Sequence, residues 1–328
     1  MIDVSIIICC YNGKPHLRPT LEHIANQQYD ANMEVEFVFV DNASTDGSAD
    51  FVKSVWEELH PNIVLRIIRE DEPGLIYARR CGVRGAEGKY IIFCDDDNWL
   101  REDYVQTSYE LMEQMPNVGV LGGQSVLSPD IEAPDWWEEQ QGNYAVGKQL
   151  PQTGMANERG FICGAGMTTR TELAQKIFND AYPFLLTGRK GDACLSGEDG
   201  EYCIRARMMG YDLYYSEDLF YWHDIDPKRM TQKYLEKLLD DFRAGGEIIG
   251  KYQYALEYSK KTRINHWWWL GIRIYNCLLA RSTNKKRKRQ LLYYHLNMLG
   301  LIRKTDNEFD IIKGYGSYAL KLKAKAGC

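Results

Sequence analysis

The sequence predicts an α/β protein with a mainly parallel sheet flanked by helices, followed by a helical C-terminal region. Four short apolar runs lie in the first hundred residues, and segments of helical length separate them. This alternation is typical of a parallel sheet covered by helices. After residue 227 every remaining segment has helical spacing, so we predict two units, residues 1–227 and 228–328.

All four predicted strands end in polar or acidic residues. The strands are predicted at Val4–Cys10, Val35–Val40, Ile63–Ile68 and Tyr90–Cys94. The helices between them are predicted at residues 15–28, 48–59 and 74–87. Right-handed crossovers place the carboxyl ends of parallel strands at one edge, where such sheets bind ligands. We therefore expect a binding site at this edge.

The elements that follow are less regular. We predict helices at 101–115, Glu172–Phe178 and Glu198–Met209, strands at Val118–Leu121, Phe161–Thr168, Leu213–Tyr215 and Leu219–Trp222, and loops at 128–158 and 186–197. The C-terminal helices are expected to break at Gly245-Gly246. Long loops are often functional, so the loop over 128–158 is a candidate binding segment.

Composition excludes several classes of protein. Apolar residues make up 45% of the 328 residues and charged residues 26%, which excludes a disordered chain. The net charge of −6 argues against nucleic acid as a partner, although residues 251–328 carry 17 basic and 4 acidic residues, a net +13. Nine cysteines without a CxxC pair, no signal-peptide pattern and no long apolar stretch predict a cytoplasmic protein without a spanning helix.

The acidic triplet Asp95-Asp96-Asp97 directly follows a predicted buried strand. Adjacent carboxylates repel one another unless a cation or strong donors neutralise them. Oxygen ligands of this type suit Mg²⁺ or Mn²⁺, which also bind phosphates. The alternative is a solvated turn in which Asn98 caps the next helix. The position beside three other polar strand ends favours a metal site.

Four further residues are site candidates with structural alternatives. The carboxylate of Asp41 lies where a nucleoside could be bound, and Arg79, near a helix start, could reach a phosphate or remain a surface arginine. Asp199 follows a glycine-containing loop and could act chemically or only stabilise a helix N-terminus. His223, at a strand end, could be a metal ligand or a satisfied structural histidine.

Six motifs together resemble the inverting nucleotide-sugar glycosyltransferases of family 2, which have the GT-A fold. In order along residues 3–225 they are VSIIICCYN, DNASTD, EPGLIYARRCGV, YIIFCDDDNW, GAGM and GEDGEYCIRARMMGY. Two departures are small. Cys9-Cys10 stands where a proline is common, and Asp41-Asn42 replaces a frequent Asp-Asp pair.

The resemblance implies a role for each matching residue. Tyr11, Asn12 and Asp41 would hold the nucleoside, most often uridine. Asp199 would be the general base, with Glu198 the next candidate. Arg79 would contact the nucleotide, and Asp95 and Asp96 would contact the ribose or the donor sugar. Gly164 and Gly166 would lie under the donor sugar. Asp97 would bind Mn²⁺ or Mg²⁺, and His223 could be a second ligand of that ion.

The resulting expectation is a metal-dependent transfer of one sugar, with inversion, from a nucleotide sugar to a saccharide or lipid-linked saccharide hydroxyl in polysaccharide or glycan synthesis. The QxxRW run typical of processive members is absent from the sequence. A nucleotidyltransferase is the alternative enzyme, but Cys9–Gly13 lacks a glycine-rich, basic triphosphate loop. A non-catalytic nucleotide-sugar-binding protein is the other alternative, although it would not need Asp199.

Two aromatic clusters suggest further contacts. Trp136 and Trp137 could stack on an acceptor sugar or anchor their loop to the core. The segment Asn265–Ala280 with the basic run Lys285–Arg289 suits an anionic membrane surface, at the inner face of the cell membrane. The alternatives are a helical hairpin packed on the catalytic unit and a homodimer interface.

Overall fold

The computed structural model of the chain describes residues 1–190, 193–260, 263–278, 285–302 and 306–326. Its first hundred residues alternate strands with helices as predicted. The strands are β1 (Val4–Cys10), β2 (Val35–Asn42), β3 (Val64–Glu70) and β4 (Tyr90–Cys94), and the helices are α1 (Lys14–Ala25), α2 (Ser48–Leu59) and α3 (Leu75–Gly85). Strands β3, β2, β1 and β4 are adjacent in that order and parallel.

The rest of residues 1–227 completes a mixed sheet. Its elements are β5 (Asn98–Leu100), α4 (Tyr104–Gln114), β6 (Val118–Leu127), α5 (Trp137–Gln140), β7 (Gly154–Met155), β8 (Thr168–Arg170), α6 (Thr171–Ile177), β9 (Gly188–Lys190), β10 (Ala193–Leu195), α7 (Glu198–Met208) and β11 (Asp212–His223). Among the described residues the sheet order is β3-β2-β1-β4-β8-β6-β11-β5, with β7 also on β11. Strand β8 is antiparallel to both β4 and β6.

Three predicted elements differ from the structure. The strand predicted at Phe161–Thr168 is irregular until Thr168, because Gly160 and Gly166 take positive φ angles of 89° and 70° that interrupt a strand. The two strands predicted near the end are one strand, β11, with an irregularity between Tyr215 and Phe220. The predicted loop 186–197 contains the antiparallel pair β9 and β10, and residues 191 and 192 lie outside the described residues.

Two apolar layers cover the sheet. In β1, Ile7 packs with residues of α3, α6 and α7, whereas Ile6 and Ile8 pack with residues of α1, α2 and α4. Each fully buried aliphatic side chain contributes about 1.5–3 kcal/mol of transfer free energy. The layers hold the parallel strands rigidly, so their carboxyl ends form one fixed edge.

In the described part of the C-terminal region the α-helices are α8 (Gln232–Ser259), α9 (Arg263–Leu278), α10 (Lys285–Met298) and α11 (Asn307–Ala326). The break expected at Gly245-Gly246 is wrong, since α8 continues through it. A Cβ at Gly245 would lie 2.0 Å from the carbonyl oxygen of Ser196, so glycine allows α8 to approach this loop. Among the described residues no helix is long and apolar enough to cross a membrane.

Helices α8 and α11 share an apolar core with residues 1–227. Ile248, Tyr252 and Tyr315 pack in the same apolar layer as Ile7. Arg205 of α7 is fully buried, and its guanidinium lies 4.6 Å from the ring centroid of Tyr315. The boundary at residue 227 therefore marks the start of the helical segment and not a gap in packing.

Candidate active site

A cleft of about 840 Å³ opens at the carboxyl edge of the parallel strands. Most of the predicted site residues line it. They are Tyr11, Arg79, Asp95, Asp96, Asp97, Gly164, Glu198, Asp199 and His223. The first half of the chain supplies one wall, the turn after β11 a second, and the beginning of α8 a third.

Asn98 fixes the acidic triplet at the end of β4. Its side chain is fully buried, donates from Nδ2 to Asp97 Oδ1 at 3.2 Å and accepts from the Asp95 backbone N–H at 3.2 Å. It belongs to β5, and α4 begins only at Tyr104. Asn98 therefore shapes the triplet and does not cap the next helix.

Asp97 lies between two cationic or potentially cationic groups. Its Oδ1 is 3.4 Å from His223 Nε2, and its Oδ2 accepts from Arg229 Nη1 at 3.2 Å. Burial alone would raise the pKa of Asp97, but His223 and Arg229 outweigh burial and hold this pKa well below its ordinary value. Asp97 therefore ionises more readily than the other two carboxylates of the triplet.

The other two carboxylates of the triplet are harder to ionise. Burial, then the neighbouring charges of Asp97 and Asp95, raises the pKa of Asp96 to about 7. Burial also raises the pKa of Asp95, although the charge of Arg79 opposes this shift. Negative charge accumulated at this strand end therefore favours binding of a cation.

The residues at the triplet suit a divalent cation. Asp97 and His223 are in contact, and buried His223 Nδ1 has no hydrogen-bond partner among the described residues, so protein contacts do not occupy both ring nitrogens. No group of three histidine, cysteine or carboxylate ligands converges within those residues. Mg²⁺ and Mn²⁺ sites commonly combine few carboxylates with phosphate and water, so this donor set fits such an ion.

Asp199 lines the same cleft, and the arginine that contacts it, Arg79, also has Nη2 3.9 Å from Asp95 Oδ1 of the triplet. Asp199 Oδ1 accepts from Arg79 Nη1 at 2.6 Å, and its Oδ2 accepts from the Gly164 backbone N–H at 2.7 Å. Arg79 is 6% exposed and lies over the ring of Phe93. A Cβ at Gly164 would lie 2.3 Å from Asp199 Oδ1, so glycine is needed for this contact.

Glu198 is adjacent to Asp199 and also lines the cleft. Burial, then the charge of Asp199, raises the pKa of Glu198 to about 7, with Arg79 opposing the shift. Two carboxyl groups with different environments can hold different protonation states at neutral pH. Arg79 contacts Asp199 rather than open solvent, so it also acts as a counter-ion of the proposed base.

The predicted nucleoside residues occupy the edge formed by β1 and β2. Tyr11 is 52% exposed and lines the cleft. Asp41 is buried, and its Oδ2 accepts from Arg69 Nη1 at 2.6 Å. Asn12 has a positive φ of 56°, and its side-chain oxygen accepts from the Thr45 backbone N–H. Ser44 links Asn12 and Asp41, because its Oγ accepts from the Asn12 N–H and its own N–H donates to Asp41 Oδ1. Of these three predicted residues, Tyr11 alone lines the cleft, and Asp41 is already paired to an arginine.

Gly166 is a packing position beneath the cleft. It has a φ of 70°, its carbonyl accepts from the Tyr104 hydroxyl at 2.6 Å, and a Cβ would lie 2.5 Å from that hydroxyl. The turn that contains it also places Gly164 against Asp199. Gly166 therefore supports the floor of the cleft indirectly.

The paired tryptophans pack behind the cleft. Trp137 is 5% exposed, and its ring centroid lies 5.0 Å from that of Tyr144. Tyr144 in turn stacks on Tyr234, and both tyrosines line the cleft. The position of Trp136 and Trp137 matches the alternative of a loop anchor. Tyr144 is itself buried, and the exposed aromatic side chains in the cleft lining include Tyr11, Phe161 and Phe242.

Arg229 and Tyr234 were missed by the sequence analysis. Arg229 lies in the 3-10 turn Pro227–Arg229, and its Nε donates to the Tyr234 hydroxyl at 3.2 Å. Tyr234 also accepts from Arg189 Nη2 at 3.1 Å. The only sequence signal was a pair of basic residues just after the last strand, and such a pair is common on solvated turns.

The fold and the cleft define a GT-A glycosyltransferase. The profile described as "Glycosyl transferase family 2" matches residues 5–178, more than half of the chain. The chain therefore belongs to glycosyl transferase family 2. This finding confirms the resemblance predicted from the six motifs.

Three curated relatives match shorter or longer segments. Glycosyltransferase GlyA of Streptococcus pneumoniae is 23% identical over 77% of this chain and 36% of its own length. Minor teichoic acid biosynthesis protein GgaA of Bacillus subtilis is 30% identical over 36% of this chain and 27% of its own. UDP-Glc:alpha-D-GlcNAc-diphosphoundecaprenol beta-1,3-glucosyltransferase WfaP of Escherichia coli is 29% identical over 34% of this chain and 41% of its own length. The matches thus span less than half of each relative.

Two solved structures share the fold. Staphylococcus aureus TarS 1–349 in complex with UDP-GlcNAc has a TM-score of 0.51 at 15% identity and covers 98% of this chain and 88% of its own. The mannosyltransferase PcManGT of Pyrobaculum calidifontis, in complex with GDP-Man and Mn²⁺, has a TM-score of 0.50 at 20% identity, with 98% and 73% covered. At these identities the likeness supports the fold.

Proposed function

We propose that the chain transfers one sugar from a UDP-linked donor to a hydroxyl of a saccharide or lipid-linked saccharide, with inversion and with a divalent metal. The observation that carries this proposal is one cleft lined by two carboxylate centres, Asp97 beside His223 and Asp199 beside Arg79. The similarity to proteins named for teichoic acid synthesis and for glucosyl transfer to a lipid-linked saccharide supports polymer or glycan synthesis.

The donor would lie along the strand edge. Tyr11 and the turn at Pro73 and Leu75 offer exposed apolar surface for a nucleobase, and Asn42 holds that turn by donating to the Glu72 carbonyl at 2.7 Å. The diphosphate would then reach Asp97. A solved relative in fold binds UDP-GlcNAc, which supports a uridine donor.

Asp199 is the proposed general base. Its contacts with Arg79 and the Gly164 N–H orient the carboxylate, and each oxygen retains a lone pair for an acceptor hydroxyl. As the hydroxyl oxygen forms a bond to the anomeric carbon, its proton passes to Asp199 while the nucleoside diphosphate departs from the other face. This single displacement inverts the anomeric carbon.

Asp97 and His223 are the proposed metal ligands. A bound Mn²⁺ or Mg²⁺ would neutralise the charge that develops on the departing diphosphate. The protein's contribution is the ionised Asp97 carboxylate, kept ionised by His223 and Arg229. Arg229 and Arg189 add positive charge on the same side of the cleft.

A panel of nucleotide sugars with Mn²⁺ tests this function. We expect UDP release from a UDP-sugar, and an inverted anomeric configuration in the product by ¹H NMR. The Asp97→Ala variant should lose metal-enhanced UDP affinity in calorimetry, because the cation loses one of very few protein ligands. Retained configuration, or unchanged metal-enhanced affinity in the variant, would contradict the proposed mechanism.

We also propose that α9 and α10 dock on an anionic membrane. Helix α9 exposes one apolar face at helical spacing, consisting of Ile264, Trp267, Trp268, Ile274, Tyr275 and Leu278, with exposures between 42% and 82%. Basic side chains at the start of α10 lie on the next helix along the chain and are mostly exposed. Aromatic surface beside clustered positive charge is complementary to an anionic lipid interface.

Liposome binding tests the docking proposal. The double substitution Trp267→Ala with Trp268→Ala should remove the binding that survives high salt. Neutral residues at Lys285–Arg289 should weaken binding in low salt, since charge attraction is screened over about 8 Å at physiological ionic strength. If the unmodified chain does not sediment with anionic vesicles in low salt, or if the exposed face instead forms a dimer, the proposal is wrong.

A further inference from the structure

Arg229 contacts the carboxylate that we assign to the metal, and a residue that only binds phosphate would not need this contact. Its Nη1 donates to Asp97 Oδ2, the carboxylate assigned to the metal, at 3.2 Å. Its Nε donates to Tyr234, and its backbone carbonyl accepts from the Tyr144 hydroxyl at 3.1 Å. The side chain is 19% exposed. Two contacts hold the guanidinium at the cleft wall, and the third holds the backbone of the same residue.

Arg229 and a divalent cation are competitors for Asp97. A cation on this carboxylate would bring two positive charges beside a guanidinium, and like charges at contact distance repel strongly in a partly buried site. Asp97 already has His223 at its other oxygen. Asp97 Oδ1 also accepts from Asn98 Nδ2, whereas Oδ2 accepts from Arg229. A cation that Asp97 and His223 share would therefore either displace Arg229 from Oδ2 or lie beside its positive charge.

The diphosphate offers Arg229 a replacement partner. Guanidinium groups bind phosphate oxygens through paired N–H donors, and such charge-assisted bonds resemble those to a carboxylate in strength. Arg229 lines the same cleft as Asp97, and Arg189 approaches the shared partner Tyr234 from the β9 side. A nucleotide that arrives with the metal thus brings the anion that the displaced guanidinium needs.

We propose that Arg229 is the counter-ion that Asp97 gives up when a divalent cation binds, and that the released guanidinium then binds the diphosphate of the nucleotide sugar. This exchange rests on the proposed donor site. The exchange couples the binding of the cation to the binding of the nucleotide. A cation alone must break the Asp97–Arg229 contact without compensation, whereas a cation that arrives with the nucleotide gives Arg229 the diphosphate as a new partner. The protein would therefore bind Mn²⁺ weakly alone and tightly with UDP.

The test measures Mn²⁺ binding by electron paramagnetic resonance, with and without UDP, and UDP binding by calorimetry. In Arg229→Met, Mn²⁺ should bind more tightly without nucleotide, on the order of tenfold, since one charge-assisted contact no longer competes. UDP affinity in the presence of Mn²⁺ should fall by a similar factor. Lys228→Met is the matched control, because it removes the same charge from an exposed neighbour in the same turn.

The outcomes separate this exchange from the site on which it rests. Weaker or unchanged Mn²⁺ binding in Arg229→Met without UDP, with a native circular-dichroism spectrum, would overturn the exchange while leaving the metal site intact. An equal change in Lys228→Met would show a general charge effect and overturn it as well. Failure of the unmodified chain to bind Mn²⁺ even with UDP would refute the metal site and the exchange together.

Discussion

Two of the three carboxylates of helix α7, Asp199 and Glu201, lie two residues apart in opposite environments. Glu201 is fully buried and accepts from Arg205, from the Tyr252 hydroxyl and from the backbone N–H groups of Leu185 and Leu186. Asp199 is 26% exposed at the cleft wall. Both carboxylates are paired with a buried arginine, so pairing alone does not distinguish a structural acid from a candidate base.

Solvent access and spare hydrogen-bonding capacity do distinguish them. Arg205 is committed to Glu201, Tyr252 and the carbonyls of Ile177, Tyr182 and Pro183. Nothing around Glu201 is open to a substrate. Asp199 has two fixed donors and faces a cavity, so it can accept a proton from a ligand. The acidic motif at the start of α7 therefore supplies Glu201 to the core and Asp199 to the candidate site.

The largest expected effect is on stability, at the core pair. Arg205→Met should lower the free energy of unfolding by about 3–5 kcal/mol, because it leaves Glu201 buried without its cation. Urea unfolding followed by circular dichroism measures this loss. Arg207→Met, on the same helix but only half-buried, is the control and should change stability little. A loss below about 1 kcal/mol for Arg205→Met would contradict the structural role assigned to the pair.

A smaller effect is expected at the floor of the cleft. Gly164→Ala should reduce turnover by roughly tenfold to a hundredfold, because the new Cβ would displace Asp199 and Arg79. Steady-state UDP release measures it. Gly142→Ala also lies in the cleft lining, but its Cβ would meet nothing within 4 Å, so this variant should retain turnover. Equal losses in both would indicate a general effect of cleft glycines.

The smallest expected effect is a pH dependence at Glu198. Burial, then the charge of Asp199, raises the pKa of Glu198 from an ordinary 4.5 to about 7. Between pH 4.5 and pH 7, Glu198 therefore stays protonated in the folded state and is ionised in the unfolded state. Stability should therefore fall as pH rises from about 4.5 to 7. Glu198→Gln removes this penalty and should raise Tm at pH 8 by roughly 2–4 °C, with little change at pH 4. A stabilisation that is equal at both values would contradict the shift.

The fold and much of the site were predictable because they depend on local patterns. Strands that are apolar on both faces and separated by helices predicted the parallel part of the sheet. Asp95 and Asp41 were then site candidates because they lie at the polar ends of these strands. Arg229 was not predictable, since it lies in a three-residue turn without periodicity and its partner is 132 positions away.

Without the family resemblance, the residue pattern does not separate Asp199 from Glu201. Both lie in the first turn of α7, and their environments depend on which side of the helix meets α8. Likewise, the aromatic and basic pattern around Asn265–Ala280 left open whether this segment meets a membrane, packs on residues 1–227 or contacts a second copy, and the structure leaves Trp267 and Trp268 exposed on α9. Such features are set by tertiary packing, which sequence periodicity does not encode.

The most direct test compares Asp199→Asn with Glu201→Gln in the same two assays, UDP release from a UDP-sugar and urea unfolding. Asp199→Asn should lose on the order of a hundredfold or more in turnover, with UDP affinity and unfolding free energy nearly unchanged, because the amide keeps the shape and loses the basicity. Glu201→Gln should unfold more easily and retain turnover per folded molecule. If Asp199→Asn kept more than about a tenth of the turnover, Asp199 would not be the base.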